Sequence, residues 1–212
     1  MVRKTLSCVV LYFFSLCQLA LAQQTFEDLL RAAKDGEIDT IRGLVSRGMD
    51  PDTADQAGNT LLMIAAREGQ LEVIKYLASQ KARIRAQNGA GETAIMSASL
   101  KGHLAVVRFL HASGAEISQP GWAPLHYCAW GGHTEVCRFL LDHGASVDAL
   151  SPNATSALMM AARQGHGETV SLLLARSADL SIRNDSDATA LTWALKSGHA
   201  AVADQLRRAG AK

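Results

Sequence analysis

The sequence predicts an all-α solenoid of stacked helix-turn-helix units with connecting hairpin loops, and two observations predict it. Six glycines recur at intervals of 33, 33, 30, 33 and 33 residues, and each of the last four is followed by histidine. Apolar runs follow the glycines, as in residues 73–77 and 106–110. A fixed period of this length is typical of proteins built from stacked repeats. The glycines are Gly36, Gly69, Gly102, Gly132, Gly165 and Gly198.

One repeat illustrates the local signals. Thr60 is placed to cap a short helix that Gly69 ends, because glycine readily accepts the left-handed conformation of a helix C-terminus. A second helix follows from about residue 71 to 80, with Val73, Ile74 and Leu77 on one stripe. Neither helix is long enough to be stable alone, so neighbouring repeats must cover its apolar stripe.

The repeated motif resembles that of ankyrin repeats, Gly-x-Thr-Pro-Leu-His-x-Ala-Ala-x-x-Gly-His. Only the fourth repeat keeps Pro-Leu-His, at residues 124–126. In the others Met or Thr replaces this histidine, which affects the hydrogen bonds that it usually makes in the family but not the fold. The matching segments are Gly58–Gln70, Gly91–His103, Ala123–His133, Ser156–His166 and Thr189–His199.

Six repeats account for the chain after its first segment. The first and last are expected to act as caps, since the first lacks the loop element and the last carries polar residues on its second helix. The predicted repeats are 25–54, 55–87, 88–119, 120–150, 151–183 and 184–212.

Residues 1–22 have the composition of a secretory signal peptide. Arg3 and Lys4 precede sixteen uncharged residues, and an Ala-Leu-Ala site ends at Ala22. We expect cleavage after Ala22, which leaves a domain at 23–212 exported to the bacterial periplasm without stable membrane insertion. The alternatives are a retained membrane anchor, because the uncharged stretch approaches the length of a span, and a eukaryotic secretory pathway.

Charge and motifs argue against several functional classes. The formal net charge is +1, and it becomes −1 if Arg3 and Lys4 are removed with the signal peptide. Proteins that bind nucleic acid or acidic membranes through bulk charge need a clear basic excess. The sequence contains no nucleophile elbow, phosphate-binding loop or dinucleotide fingerprint. We therefore expect no enzymatic activity, no catalytic residues and no cofactor.

The histidines are expected to be structural, because five of the seven occupy positions that recur in the repeats and one active site needs no repetition. The other two, His111 and His143, lie late in second helices, where we expect solvated surface. The five in repeated positions are His103, His126, His133, His166 and His199.

Cys128 and Cys137 are the two cysteines outside the signal peptide. They occupy Ala and Val positions of the repeat, where cysteine acts as a small apolar side chain. The sequence therefore favours free thiols in the core. An intra-repeat disulfide and a metal site with His126 and His133 are the alternatives, although the spacing departs from that of zinc sites.

The resemblance to ankyrin repeats implies a groove that binds another protein, formed by loop tips and by residues just before the helix-ending glycine. Gln56, Asn59 and Glu92 fall within this groove. The partner-binding residues we predict are Arg67, Glu68, Leu100, Lys101, Trp122, Trp130, Arg163, Gln164 and Lys196.

The fourth repeat concentrates the aromatic residues and is three residues shorter than its neighbours, which should notch the groove. Trp122 and Trp130 are candidate anchors for a partner, since tryptophan often dominates interface energies. The alternative for Trp122 is that it packs over the shortened loop. Tyr127 and Phe139 are expected in the core.

The resemblance implies a non-enzymatic protein-binding scaffold. Small exported proteins of this kind resemble accessory factors for periplasmic redox or haem proteins. An inhibitor that neutralises a cognate secreted toxin or lipase is the alternative. An enzyme or metalloprotein is the hypothesis from another class, and it requires bound zinc or iron in the purified protein.

Overall fold

The computed structural model describes residues 23–212, and this part of the chain contains twelve helices in six consecutive pairs. The predicted all-α solenoid is confirmed, whereas the predicted signal peptide lies outside the described residues. The helices are α1 (23–35), α2 (Ile38–Ser46), α3 (Leu61–Glu68), α4 (Leu71–Ser79), α5 (Ala94–Lys101), α6 (Leu104–Ala112), α7 (Pro124–Gly131), α8 (Thr134–Asp142), α9 (Ala157–Gln164), α10 (Gly167–Ala175), α11 (Ala190–Lys196) and α12 (Ala200–Arg208).

The helices stack in two rows. The first helices of the repeats contact one another in the order α3, α5, α7, α9 and α11, and the second helices do so from α2 to α12. The core lies between the rows, where Leu61, Ile74 and Leu77 are completely buried. Burying such a side chain contributes about 1.5–3 kcal/mol. Stacking therefore supplies the stability that helices of seven to nine residues lack alone.

Side chains at the helix N-termini explain where several first helices begin. Thr60 Oγ1 accepts a hydrogen bond from the backbone N–H of Met63 at 3.3 Å, as predicted. Ser156 begins α9 in the same way, with Met159 N–H as the donor. Each bond satisfies one of the backbone donors that a helix N-terminus leaves unpaired.

At three of the repeat glycines, the histidine that follows bridges consecutive repeats. His166 Nε2 donates to the carbonyl oxygen of Trp130 at 3.0 Å, and His133 Nε2 donates to that of Leu100 at 2.9 Å. His103 makes the equivalent bond to Arg67. These bonds give His103, His133 and His166 the structural role that their recurrence predicts.

Gly132 shows why glycine precedes this histidine. Its φ of +72° is left-handed, and a Cβ atom there would lie 2.5 Å from Nδ1 of His166. We expect Gly132→Ala to destabilise the fold by about 1 kcal/mol more than Gly144→Ala. Both substitutions incur the left-handed cost, but nothing lies within 4 Å of a Cβ at Gly144. Urea unfolding of both variants measures the difference, and equal losses would show that the imidazole contact is unimportant.

The hairpin loops are held by a polar side chain at their base. Asp55 Oδ1 accepts the backbone N–H groups of Ala57 and Asn59 at 2.9 and 2.8 Å. Burial alone would raise the pKa of Asp55, but a hydrogen bond from the side-chain amide of Asn59 to Oδ2, together with these two backbone bonds, lowers it below the usual value. Asn88 and Asn184 hold their loops in the same way.

The fourth repeat has no such loop. Its shortened segment runs through Gly121 to α7, and Trp122 takes the position that Asn59 and Glu92 occupy in the preceding repeats. A large aromatic ring therefore lies where the two preceding repeats have a polar side chain.

Cys128 and Cys137 form a disulfide, so the prediction of free thiols is wrong. Their Cα atoms are 5.6 Å apart, and both residues are completely buried. Cys128 lies four residues before Gly132 and Cys137 five residues after it. Because the chain reverses at this glycine, α7 packs against α8 and the two positions face each other. Core placement is correct, and within 23–212 no group of His, Cys, Asp or Glu is arranged to hold a metal ion.

The prediction of solvated surface for His111 is also wrong. His111 is half-buried in the row of second helices, with its ring centroid 5.7 Å from Phe139 and 5.0 Å from His143. His143 itself is exposed and packs on Phe139. Phe139 belongs to the core as expected, and Arg108 stacks over its ring at 4.9 Å.

Candidate functional site

An apolar pocket of about 280 Å³ opens on the row of first helices, centred on the fourth repeat. Residues from α5, α7, α9 and the shortened loop contribute to its wall. The pocket therefore lies where the missing loop residues were expected to notch the surface. Its lining residues are Leu100, Trp122, His126, Tyr127, Trp130 and Met160.

The repeat register places two aromatic side chains of α7 at this pocket. Tyr127 and Trp130 lie three residues apart, a spacing that puts both on one helix face. Leu100 of α5 is the counterpart of Trp130, two residues before its glycine, and Met160 of α9 is the counterpart of Tyr127. Equivalent positions of three adjacent repeats thus form one apolar wall.

Trp130 is 36% exposed, which is high for a large apolar residue on a packed helix. The positively charged guanidinium of Arg163 lies beside this ring, with Cζ 5.5 Å from the ring centroid. The same guanidinium lies 5.1 Å from the ring centroid of Trp193. Arg163 is therefore held between two indoles, which attract a cation electrostatically.

Tyr127 is oriented by a hydrogen bond to the neighbouring repeat. Its hydroxyl donates to Oε1 of Glu92 at 3.1 Å, and Oε2 of Glu92 accepts from Nδ2 of Asn88 at 3.0 Å. Burial and the adjacent carboxylate of Glu92 raise the pKa of Tyr127 far above its usual value. The phenol therefore stays neutral and fixed in place. Tyr127 is half-buried at the pocket wall, so its predicted place in the core is wrong.

Trp122 packs on the first helix of its own repeat and also lines the pocket. The ring packs edge-on against His126 and Tyr127, with centroid distances of 5.5 and 6.3 Å. It is half-buried and also lines the pocket. Trp122 thus packs against α7 on one side and forms part of the apolar wall on the other.

His126 closes the floor of the pocket and is 1% exposed. Its Nδ1 accepts the backbone N–H of Ala123 at 3.1 Å, and Nε2 donates to the carbonyl oxygens of Ala149 and Thr155 at 3.0 and 3.1 Å. Burial lowers the pKa of His126 below its ordinary value of 6.5. Both ring nitrogens are engaged, so this histidine joins the fourth and fifth repeats as a neutral imidazole.

We expect the protein to lose stability as the pH falls below about 6.5. Burial is the largest cause that lowers the pKa of both His126 and His133 from 6.5. The unfolded chain therefore takes up protons in a pH range where the folded chain does not, which favours unfolding. Thermal unfolding between about pH 7.5 and pH 5.5, roughly one unit either side of this pKa, measures the effect.

The substitution His126→Met isolates the buried imidazole, because Met63, Met96 and Met159 occupy this position in other repeats. This variant should show a shallower decline of melting temperature with falling pH than the wild-type protein. An unchanged slope in His126→Met would contradict the assignment.

Comparison with known families agrees with this architecture. A family model described as ankyrin repeats, in three copies, matches residues 29–120, 81–151 and 144–212. The chain belongs to the ankyrin-repeat family. No protein of curated function matches it. Ankyrin repeats are typically non-enzymatic protein-interaction modules, so the family supports a protein-binding scaffold.

The described part of this ankyrin-repeat protein brings some of the predicted partner-binding residues together and leaves others apart. Leu100, Trp122 and Trp130 line the pocket. Arg67 lies in an adjoining groove that shares Leu100 and Tyr127 with the pocket, and Arg163 stacks on Trp130. The remaining four lie outside the pocket wall. They are Glu68, Lys101, Gln164 and Lys196.

Sequence reasoning missed three residues of this ankyrin surface, namely Tyr127, Met160 and Trp193. All three lie five residues before a repeat glycine, one helical turn before the position of Trp130 and its counterparts. This shared position is the signal that identifies them. We define the aromatic surface as the set Leu100, Trp122, Tyr127, Trp130, Met160, Arg163 and Trp193.

Among residues 23–212, no helix combines the length and the hydropathy needed to cross a membrane.

Proposed function

We propose that this ankyrin-repeat protein is a non-enzymatic scaffold that binds another protein through the aromatic surface. The observation that carries the proposal is the exposed indole of Trp130, mounted between an apolar pocket and Arg163. Tryptophan, tyrosine and arginine are enriched among the residues that dominate binding energy at protein interfaces. All three residue types meet here on adjacent helices.

The rigidity of the surface supports the same role. Tyr127 is tied to Glu92, and the carbonyl oxygen of Trp130 accepts a hydrogen bond from His166 of the next repeat. A surface that is ordered before binding loses little conformational entropy when a partner docks. We therefore expect the repeats to bind as a preformed unit.

We propose no catalytic role for the described residues. His126, the most buried titratable group at the pocket, uses both ring nitrogens in backbone hydrogen bonds. The neighbouring Tyr127 has a raised pKa and stays protonated. A general acid or base near neutral pH needs a free nitrogen or a lowered phenol pKa. Bound zinc or iron in the purified protein, or turnover of a small compound, would contradict this proposal.

We propose that the protein functions in the periplasm after cleavage at Ala22. The disulfide between Cys128 and Cys137 supports this compartment, since disulfides persist in oxidising environments and are rare in the cytosol. Fractionation followed by mass measurement tests the proposal. A mature chain beginning at Gln23 in the periplasmic fraction is expected, and a cytosolic chain that retains Met1 would contradict it.

Within this compartment we propose an accessory factor for a redox or haem protein, on the resemblance to small exported ankyrin proteins. An accessory factor should raise the cofactor loading or survival of its partner while leaving the activity of the loaded enzyme unchanged. Assays of the partner with and without the ankyrin protein test this. Stoichiometric loss of the partner's activity would instead assign the role of inhibitor of a toxin or lipase.

A further inference from the structure

We infer that the aromatic surface receives one bulky apolar side chain from an acidic segment of its partner, with the carboxylates directed toward Arg163 and Lys196. This inference rests on the proposed protein-binding role and names the chemistry of the partner. It follows from the size of the pocket, the order of charges along the first helices and the spacing of the repeats.

The pocket fits a side chain better than a separate ligand. Its volume of about 280 Å³ lies just below the range of roughly 300–1,000 Å³ that is usual for small-molecule sites. Its wall is almost entirely apolar, and the hydroxyl of Tyr127 is already engaged with Glu92. The lining thus offers little to orient a small polar ligand, whereas one aromatic or branched aliphatic side chain would bury its surface there.

The charges along the first helices follow a symmetric order. The position two residues before the repeat glycine is basic in the first two repeats, apolar in the third and fourth, and basic again in the fifth and sixth. The apolar centre of the row is thus flanked on both sides by basic residues. From the first repeat to the sixth, the row reads Lys34, Arg67, Leu100, Trp130, Arg163 and Lys196.

The two sides differ in their neighbouring acids. On the N-terminal side Asp35 follows Lys34 and Glu68 follows Arg67, with Glu68 in an ion pair with Arg67 at 3.7 Å. On the C-terminal side Gln164 and Ser197 stand in place of acids.

In residues 23–212 neither Arg163 nor Lys196 takes part in an ion pair. Asp187, in the loop of the sixth repeat, pairs with Arg183 and not with Arg163 or Lys196. The C-terminal side therefore carries positive charge that is not neutralised by neighbouring acids, and it complements an acidic partner.

Arg163 is well placed to bind a carboxylate. Cζ of its guanidinium lies 5.5 Å from the ring centroid of Trp130 and 5.1 Å from that of Trp193. Two aromatic neighbours restrict the movement of the side chain, and the N–H groups at the edge of a guanidinium can bind a carboxylate in a bidentate manner. The two indoles thus fix an arginine whose charge is still available.

The repeat spacing predicts where the carboxylates lie in the partner. Packed helices are about 8–10 Å apart, so Arg163 on α9 lies about one such step from the pocket centre on α7. An extended chain advances about 3.3 Å per residue. A carboxylate about three residues from the apolar side chain should therefore meet Arg163, and one about three residues further on should meet Lys196.

Three synthetic peptides test the inference against the mature protein, with intrinsic tryptophan fluorescence as the readout. The first peptide carries one phenylalanine, with glutamates three and six residues before it and three and six residues after it. The second has lysines in place of the glutamates, and the third has serine in place of the phenylalanine. We expect the first peptide to bind at least about tenfold more tightly than either of the others.

Two protein variants assign the charge effect. In Arg163→Gln the preference for the acidic peptide over the lysine peptide should fall at least about threefold, since only one of the two cations that bind carboxylates remains. Arg83→Gln removes an exposed arginine that pairs with Asp52 outside the pocket, and it should keep the full preference. Thermal melts of both variants confirm that the fold is retained. Equal affinity of the acidic and lysine peptides for the wild-type protein would overturn the inference.

Failure of this inference is distinguishable from failure of the proposed function. If no peptide binds but Trp130→Ala abolishes binding of the natural partner, the acidic-segment inference is overturned and the scaffold role stands. If Trp130→Ala leaves partner binding unchanged, both are overturned.

Discussion

Replacing Cys128 and Cys137 together by alanine is expected to lower the free energy of unfolding by about 3 kcal/mol. The disulfide spans nine residues between α7 and α8, and closing a loop of this size restricts the unfolded chain by about 2.5–3 kcal/mol. For a domain of this length the corresponding fall in melting temperature is roughly 6–10 °C. Thermal and urea unfolding without reductant measure the loss.

Single substitutions serve as the control for this prediction. Cys128→Ala and Cys137→Ala should each lose nearly as much stability as the double variant, because either one breaks the bond. The wild-type protein should also lose stability on reduction, whereas the double variant should be insensitive to reductant. Two thiols that react in the denatured, unreduced protein would contradict the disulfide.

The substitution Trp130→Ala is expected to weaken partner binding by about 2–4 kcal/mol, a loss of roughly 30-fold to 1,000-fold in affinity. The indole is a third exposed, and its removal opens the wall of the pocket that we propose as the binding site. The loss of stability should be smaller, about 1–2 kcal/mol, since the substitution removes the cation–π interaction with Arg163 and the packing of the buried part of the indole. Calorimetric titration of the isolated partner measures the binding loss.

Leu150→Ala provides a matched control, because Leu150 is a large apolar residue that is 44% exposed but lies outside the pocket. This variant should bind the partner with wild-type affinity. A large loss of stability in Trp130→Ala would show that Trp130 belongs to the core. Equal binding losses in both variants would show that the aromatic surface has no special role.

The repeat glycines made the solenoid predictable from sequence because they carry two constraints at once. A position such as Gly132 must accept a left-handed backbone and must leave room for His166 of the next repeat. Few residues satisfy both conditions, so glycine recurs in register and reveals the period. The disulfide was harder to predict, because the approach of Cys128 to Cys137 depends on how α7 packs against α8 and not on a recognised spacing.

The candidate site was predictable in part for a similar reason. Trp130 directly precedes Gly131-Gly132 at the end of its helix, where the repeat exposes its side chains. Its place in the repeat was therefore enough to predict that it is exposed. Tyr127 and Trp193 lie one helical turn before the exposed position in their own repeats. From the sequence pattern alone, an aromatic residue there could equally well belong to the core. Only the packing of neighbouring repeats shows that this turn faces the pocket, since Met160 of the next helix completes the same wall.

Site-specific photo-crosslinking in cells that produce the partner tests the central claim most directly. One variant carries a photo-reactive residue in place of Lys101, beside the pocket residue Leu100, and the other carries it in place of Lys75, on the exposed side of the second helix α4. Position 101 should crosslink to one defined protein, lose the adduct when Trp130→Ala is added, and give far more adduct than position 75. Adducts that form from position 75 alone, or that persist in Trp130→Ala, would contradict binding through the aromatic surface.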